Sequence, residues 1–249
     1  ALYDAECLKN KNIDHKYSMK DFLQLIQRKE NKYIKAKIKD KYVYLYYNRM
    51  LDIYDYWASM IAIINVGGIP ILDYSFDRTN YIRIVYDTDE EKSIFRSLSL
   101  SNRFNRNSSC FVLHTSGTTD SSKLVLCNEK ELCEKVLKDY RNFSFGNIAS
   151  TSTGDSISGL TFCLLIPLLF NSNCYHFTKI DFYKLLNLNI DTLTLSQGNN
   201  QDIESFIDSY SFFNEMRLNK CFSLNCLNNI FLLFQNYIYQ FQLQVLQQF

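Results

Sequence analysis

A run of hydroxyl side chains closed by one lysine is where this 249-residue chain concentrates residue types that could do chemistry: Thr115, Ser116, Thr118, Thr119, Ser121, Ser122 and Lys123, set around Gly117. Hydroxyl and backbone N–H groups donate hydrogen bonds, a glycine lets the backbone approach an anion, and a lysine supplies a compensating charge. A polyphosphate needs all three together. The flanks 110–113 and 124–127 have the length and the aliphatic and β-branched content of strands, so the loop 114–123 should join two strands. The same composition also suits a Ser/Thr-rich hairpin turn that binds nothing.

A Walker-type phosphate loop would need a glycine before the lysine, Ser or Thr after it, and a helix starting there. Ser122, Leu124 and the strand-like continuation exclude it. The string TSGTTDSSK instead resembles the phosphate loop of the adenylate-forming superfamily, which includes acyl-CoA synthetases, peptide-synthetase adenylation domains and luciferases. That family spells the loop Thr/Ser-Ser-Gly-Thr/Ser-Thr-Gly-x-Pro-Lys. Thr115, Ser116, Gly117, Thr118, Thr119 and Lys123 match it, whereas Asp120 and Ser122 depart from it. The resemblance implies that the matching residues hold the β- and γ-phosphates of ATP, with Mg²⁺ as companion cation and a carboxylic or amino acid as second substrate. Asp120 works against that role. A carboxylate about 4 Å from a phosphate oxygen opposes binding by up to roughly 4 kcal/mol at an effective dielectric of 20.

A second stretch carries the resemblance further. NVGGIPILDYSFDRTNYIRIVYDTD is similar to the family's Ala-Gly-Gly-x-x-x-Pro-Leu-Asp, followed by a turn and a helix ending in Asp-Ser/Thr. Gly67, Gly68, Leu72, Asp73, Ile82, Ile84, Asp87 and Thr88 keep that pattern, in the right order before the phosphate loop. Thr153, Gly154 and Asp155 spell the family's ribose-binding triplet, but that motif belongs far downstream of the phosphate loop, so the assignment is rejected.

The elements that must position these residues follow from periodicity. Ser18 is a candidate N-cap for a helix over 16–27 with Phe22, Leu25 and Ile26 on one face. Residues 42–47 read as an aromatic strand. Residues 50–66 read as a helix apolar on most sides and hence buried, stopped by Gly67 and Gly68 before a strand at 69–72. Strand, buried helix and strand make a βαβ unit, which calls for parallel pairing. Asn128, with Glu131 three positions on, marks another helix start. A strand, a turn and a buried helix ending at Pro167 and Leu168 are expected over 150–168. Strand, helix and strand follow at 174–177, 181–186 and 192–195. The fold class expected is α/β, with a mostly parallel sheet and helices on both faces, resembling the N-terminal lobe of adenylate-forming enzymes.

Composition sets the outer limits. A hydrophobic content of 47% allows a sizeable core, and a formal charge of +1 gives no electrostatic reason to expect nucleic acid or a membrane surface as partner. The eight cysteines include no Cys-x-x-Cys, so buried free thiols in a reducing compartment are expected. The longest apolar run, 160–170, is too short to span a bilayer. With no signal peptide visible, although the chain opens on Ala1, the cytoplasm is the expected location. Residues 1–205 are read as a partial adenylation lobe and 206–249 as a divergent apolar and Gln-rich tail with helical character. After Ser196 the family's adenine-contacting Tyr-Gly-x-Thr-Glu, its ribose aspartate and its C-terminal domain with the catalytic lysine are not found. Three readings follow: part of an adenylating ligase, cut short in this sequence or completed by a partner chain; a non-catalytic relative acting as a binding or scaffold module; or an unrelated α/β protein with a chance loop.

Overall fold

The computed structural model describes residues 2–4, 16–48, 52–74, 81–98, 110–114, 124–143, 145–178, 188 and 190–194. The expected helix at 181–186, the phosphate-loop residues and the tail 206–249 lie outside the described residues.

Helix α1 (Met19–Lys35) begins where Ser18 was expected to cap it. Ser18 Oγ accepts from the Asp21 N–H at 3.1 Å, and the Asp21 carboxylate accepts from the Ser18 N–H at 3.2 Å, a reciprocal capping box. The helix runs two turns beyond Gln27 because Tyr33 prolongs the buried stripe of Phe22 and Ile26. Strand β3 (Tyr42–Tyr47) then leads to helix α2 (Ile53–Asn65), capped by Asp52, whose carboxylate accepts from the Tyr54 N–H at 2.8 Å and from the Tyr17 hydroxyl at 2.5 Å. At the far end, Gly67 takes φ +83°, the left-handed conformation that a glycine adopts without strain. Its N–H and that of Gly68 close the helix on Ile64 and Ile63 carbonyls, each at 2.9 Å.

Strand β4 (Ile69–Tyr74) returns parallel to β3, in the register Tyr46 with Asp73, as the βαβ reading requires. Next to β4, strand β6 (Cys110–His114) is also parallel. Two antiparallel strands, β5 (Ile82–Ile84) against β3 and β7 (Leu124–Asn128) against β6, complete a sheet in the order β5-β3-β4-β6-β7. Helix α3 (Thr88–Leu98) covers one face, where Ile94 and Leu98 meet Tyr42, Ile71, Val85 and Val112. The other face belongs to α1 and α2. Lys29 of α1 and Asp55 of α2 form an ion pair at 2.8 Å that fastens the two helices together.

A second sheet of five strands, not foreseen from the sequence, takes the order β10-β8-β9-β1-β2. Strands β8 (Asn147–Ser150), β9 (Asn173–His176) and β10 (Thr192–Thr194) are parallel, and β1 (Leu2–Asp4) joins parallel to β9 with β2 (Lys16–Tyr17) antiparallel outside it. Helix α2 is common to both sheets. Its Trp57, Ala58, Ala62 and Ile63 are fully buried in one core with Leu45 and Leu72 of the first sheet and Leu2 and Cys174 of the second. Its Tyr54 hydroxyl donates to the Cys174 carbonyl at 3.3 Å. A helix apolar all round thus finds apolar partners all round.

Helix α4 (Glu129–Tyr140) precedes β8, and between β8 and β9 lies the helical segment α5, built of an α-turn Ile157–Gly159, a π-helical stretch Leu160–Leu165 and an α-helical end Ile166–Phe170. Asn128 caps α4 by accepting from the Glu131 N–H at 3.1 Å. Segment α5 does not stop at Pro167 and Leu168 but continues to Phe170. Proline lacks an N–H and interrupts the usual ladder. The wider π turn just before it, in which the Ile166 N–H reaches the Thr161 carbonyl, carries the chain past that interruption.

Candidate functional site

In sheets of parallel strands, ligands bind beyond the carboxyl ends of the strands. Here those ends are Tyr47, Tyr74 and His114 in the first sheet and Ser150 and His176 in the second. The loop expected to hold phosphate leaves from β6 at this edge. His114 and Leu124, the residues on either side of it, face each other in the β6–β7 hairpin. Thr115, Ser116, Gly117, Thr118, Thr119, Asp120 and Lys123 themselves lie outside the described residues.

On the α3 face of the first sheet, a polar row crosses the strand ends. Asp73 pairs with Tyr46 in the register, and His114 lies one residue beyond the Leu72–Leu113 pair. The His114 Nε2 is 3.8 Å from Asp73 Oδ2, with both side chains about a third exposed. Further along the row, Arg83 donates from Nε to the Tyr46 hydroxyl at 3.4 Å and to both Glu90 oxygens at 2.8 and 3.0 Å. Its guanidinium stands 4.3 Å from the Tyr44 ring centre. That hydrogen-bonded fork holds the Glu90 carboxyl below its usual range, while burial first and then Glu90's charge push the Tyr44 hydroxyl up. Arg83 is therefore already neutralised. The His114–Asp73 pair is the part of this row that lies beside the loop.

On the opposite face, the Thr151–Asp155 connection after β8 comes up against the end of β3. Gly154 is buried against the rings of Tyr47 and Tyr56, and these two rings meet edge-on at 5.4 Å. The Tyr56 hydroxyl donates to the Leu45 carbonyl at 3.1 Å, and burial, followed by the charges of Asp155 and Asp73, drives its acidity well below that of an ordinary tyrosine. Ser152 Oγ and Asp155 Oδ1 are enclosed here without a hydrogen-bond partner among the described residues. His176, buried at the end of β9, contacts the Ser152 carbonyl at 3.1 Å. The strand ends of the two sheets therefore meet around Tyr47 and Gly154. Sequence reasoning weighed Gly154 and Asp155 only as a ribose triplet. Their position directly after a parallel strand was the signal that placed them at this edge.

Among the described residues, no group of three or more His, Cys, Asp or Glu side chains is arranged to hold a metal ion, and no helix is long and apolar enough to cross a membrane.

No protein-family model matches the sequence, and no curated protein does. Solved structures do match. VinN superposes with a TM-score of 0.53 at 10% identity, covering 78% of this chain and 56% of that one. ATP-bound MatB from Rhodopseudomonas palustris gives 0.53 at 14% identity, over 76% of this chain and 44% of that one. The o-succinylbenzoate CoA synthetase MenE from Bacillus subtilis, in complex with the acyl-adenylate intermediate OSB-AMP, gives 0.51 at 11% identity, over 76% and 45%. The fold is that of the N-terminal lobes of adenylate-forming enzymes. This chain spans about half the length of the solved structures it matches.

Proposed function

We propose that this chain is the N-terminal part of an ATP-dependent ligase that activates a carboxylic or amino acid as its acyl- or aminoacyl-adenylate. One observation carries the reading: a loop spelled like the family's phosphate loop follows directly from the carboxyl end of β6, in a fold shared with that family. Adenylation joins a carboxylate to the α-phosphate of ATP and releases pyrophosphate, so the protein's task is to hold the triphosphate in line and stabilise charge on the transferring oxygens. Thr115, Ser116, Thr118 and Thr119 would donate hydrogen bonds to the β- and γ-phosphates, Gly117 would let the backbone approach them, and Lys123 would supply the positive charge. Magnesium is commonly held by one or two carboxylates together with substrate phosphates, and would offset phosphate charge when bound. Asp73, at the end of β4, is a described carboxylate at this edge that would share such an ion with the phosphates. By the resemblance, the adenine, ribose and catalytic-lysine elements belong to the other half of such an enzyme, in this polypeptide or a partner chain.

Asp120 favours a second reading, a binding or scaffold module that no longer adenylates. Titration calorimetry with ATP and with pyrophosphate, each with and without Mg²⁺, separates the two. Under the ligase reading Lys123→Ala weakens binding, and Asp120→Gly strengthens it by removing a like charge and restoring the family's small residue. If Asp120 instead holds Mg²⁺, Asp120→Gly loses the Mg²⁺-dependent part of the affinity. No binding by any of the three proteins under either condition leaves the loop a hairpin turn and favours the scaffold. Pyrophosphate exchange by this chain alone is expected to be absent, because positioning worth roughly 7 to 11 kcal/mol cannot come from half a site.

A further inference from the structure

We propose that the carboxyl ends of β8, β9 and β10 form a binding site for the ammonium group of an α-amino acid, with Ser152, Asp155 and Thr194 supplying its hydrogen-bond acceptors. No residue of the phosphate loop enters this site; that its occupant is the acid to be activated rests on the ligase reading above. The topology of the second sheet opens a crevice there. The connection leaving β8 runs into α5, whose Ile166 packs on Ile148, while the chain that leaves β9 returns to β10 with Phe177, Leu188 and Ile190 against Ala149 and Tyr175. Ile148 and Ala149 are consecutive in β8 and so point to opposite faces. Connections that leave neighbouring parallel strands toward opposite faces part at the carboxyl ends, and such a parting is where open α/β sheets take up ligands.

Polar side chains without partners collect at this edge. The register sets Thr194 beside Ser150 and Ser150 beside His176. Just beyond, Ser150 Oγ accepts from the Ser152 N–H at 3.1 Å, His176 Nε2 lies 3.1 Å from the Ser152 carbonyl, and the Thr194 carbonyl accepts from the Thr151 N–H at 3.1 Å. The backbone of the connection is thus fixed by the ends of β8, β9 and β10. Its side chains are not so engaged. Ser152 is 1% exposed, and its Oγ, Asp155 Oδ1 and Thr194 Oγ1 are enclosed without a hydrogen-bond partner among the described residues. A buried polar atom left unpaired costs free energy that a bound donor recovers. Among the described residues no lysine or arginine forms an ion pair with Asp155, though its charge reaches the neighbouring Tyr56. A primary ammonium has three N–H donors, no acceptor and one positive charge. It therefore matches these three unpaired acceptors, one of them a carboxylate oxygen. A carboxylic acid without the amine leaves them unpaired, and a site built around such polar groups rejects the analogue that lacks the matching group.

The test is calorimetric titration of the whole chain with the standard L-amino acids one at a time, with the des-amino acid matching whichever binds, and with methylamine as a bare ammonium. At least one amino acid should bind, and its des-amino match and methylamine should both bind about tenfold more weakly or worse. Asp155→Asn, close in shape, should lose a similar factor, and Ser152→Ala and Thr194→Val smaller ones. Thermal unfolding without ligand gives a second readout. Ser152→Ala should melt no lower than wild type, because the group it removes already lacks a partner. Should Asp155→Asn fail to unfold cooperatively, the losses in Ser152→Ala and Thr194→Val carry the same decision. No amino acid bound, or a des-amino acid or methylamine bound as tightly as the amino acid, overturns the inference. So does a lower melting temperature for Ser152→Ala, the mark of an enclosed structural water on its hydroxyl. Pyrophosphate titrations of wild type and Lys123→Ala, run alongside, keep the two readings apart. Pyrophosphate bound through Lys123 with no amino acid bound sinks the inference alone, and the reverse sinks the ligase reading alone.

Discussion

Gly154 lies so close to Tyr47 that a β-carbon on it would sit 2.8 Å from the ring's Cδ2, and 3.1 Å from Cδ1 of Tyr56. Both distances are shorter than ordinary van der Waals contact. This is where the end of the first sheet bears on the connection after β8, and both rings are buried and cannot swing into solvent. Gly154→Ala should therefore cost about 1–3 kcal/mol, the usual range for overpacking a filled core. Denaturant unfolding followed by fluorescence of the single tryptophan, Trp57, is the measurement, since α2 touches both sheets. A change below about 0.5 kcal/mol would mean that the two sheets are not held together at this contact.

Acid should weaken the fold through Glu90. Its carboxyl is held below the usual value by hydrogen bonds from Arg83, then opposed slightly by desolvation. A depressed folded-state pKa contributes stability that is present above the unfolded value and lost as pH falls through the folded one. The loss attributable to this pair should thus appear below about pH 4.5, the unfolded-state value. Because the pair is largely exposed, its contribution should stay under about 1 kcal/mol. Comparing the acid limb of the stability curve of wild type with that of Glu90→Gln reads it directly: the variant should be less stable at pH 7 and show a shallower decline below pH 4.5.

The thiols of Cys127 and Cys163 should be slow to react in the native state. Burial, with the neighbouring Cys110 adding to it, pushes the Cys127 thiol up to about 11, and burial and the hydrogen bond with Cys174 drive Cys163 well above the usual range. The thiolate is the nucleophile. At pH 8, modification by a disulfide reagent, mapped by peptide mass spectrometry, should leave Cys163 and Cys127 largely unlabelled until denaturant is added. The sign for stability is also fixed. A raised thiol pKa contributes stability present at neutral pH that is lost as pH rises through the folded value, so strong alkali should loosen this core.

Local signals carried most of what the sequence disclosed. Ser18, Asn128 with Glu131, and Gly67 with Gly68 are cap chemistries written within a few residues, and each stands where it was read. The all-round apolar pattern of α2 announced its burial but not that two different sheets would supply its walls. Strands β9 and β10 were read near 174–177 and 192–195, but that they belong to a separate sheet with β1 was not legible, because β1 is three residues long and finds its partner β9 about 170 positions away, a pairing that no short window contains. The His114–Asp73 pair was hidden for a similar reason. Each residue was read in its own motif, just past the end of a strand, and only the register of β4 with β6 brings them together. The phosphate-binding roles that the resemblance implies for Thr115, Ser116, Gly117, Thr118, Thr119 and Lys123 fall on residues outside the described ones.

The strand order of the second sheet also dictates an order of assembly. Residues 42–128 supply all five strands of the first sheet, so that sheet can close on itself as soon as they have left the ribosome. Strand β1, by contrast, is made before them, but its Leu2 cannot meet Cys174 until more than 170 residues have followed it. Until then the amino-terminal strand has no parallel neighbour, and one side of α2 has no wall. During synthesis the chain therefore passes through a stage with Trp57 and Ile63 only half covered, the kind of exposed apolar surface that recruits chaperones or aggregates.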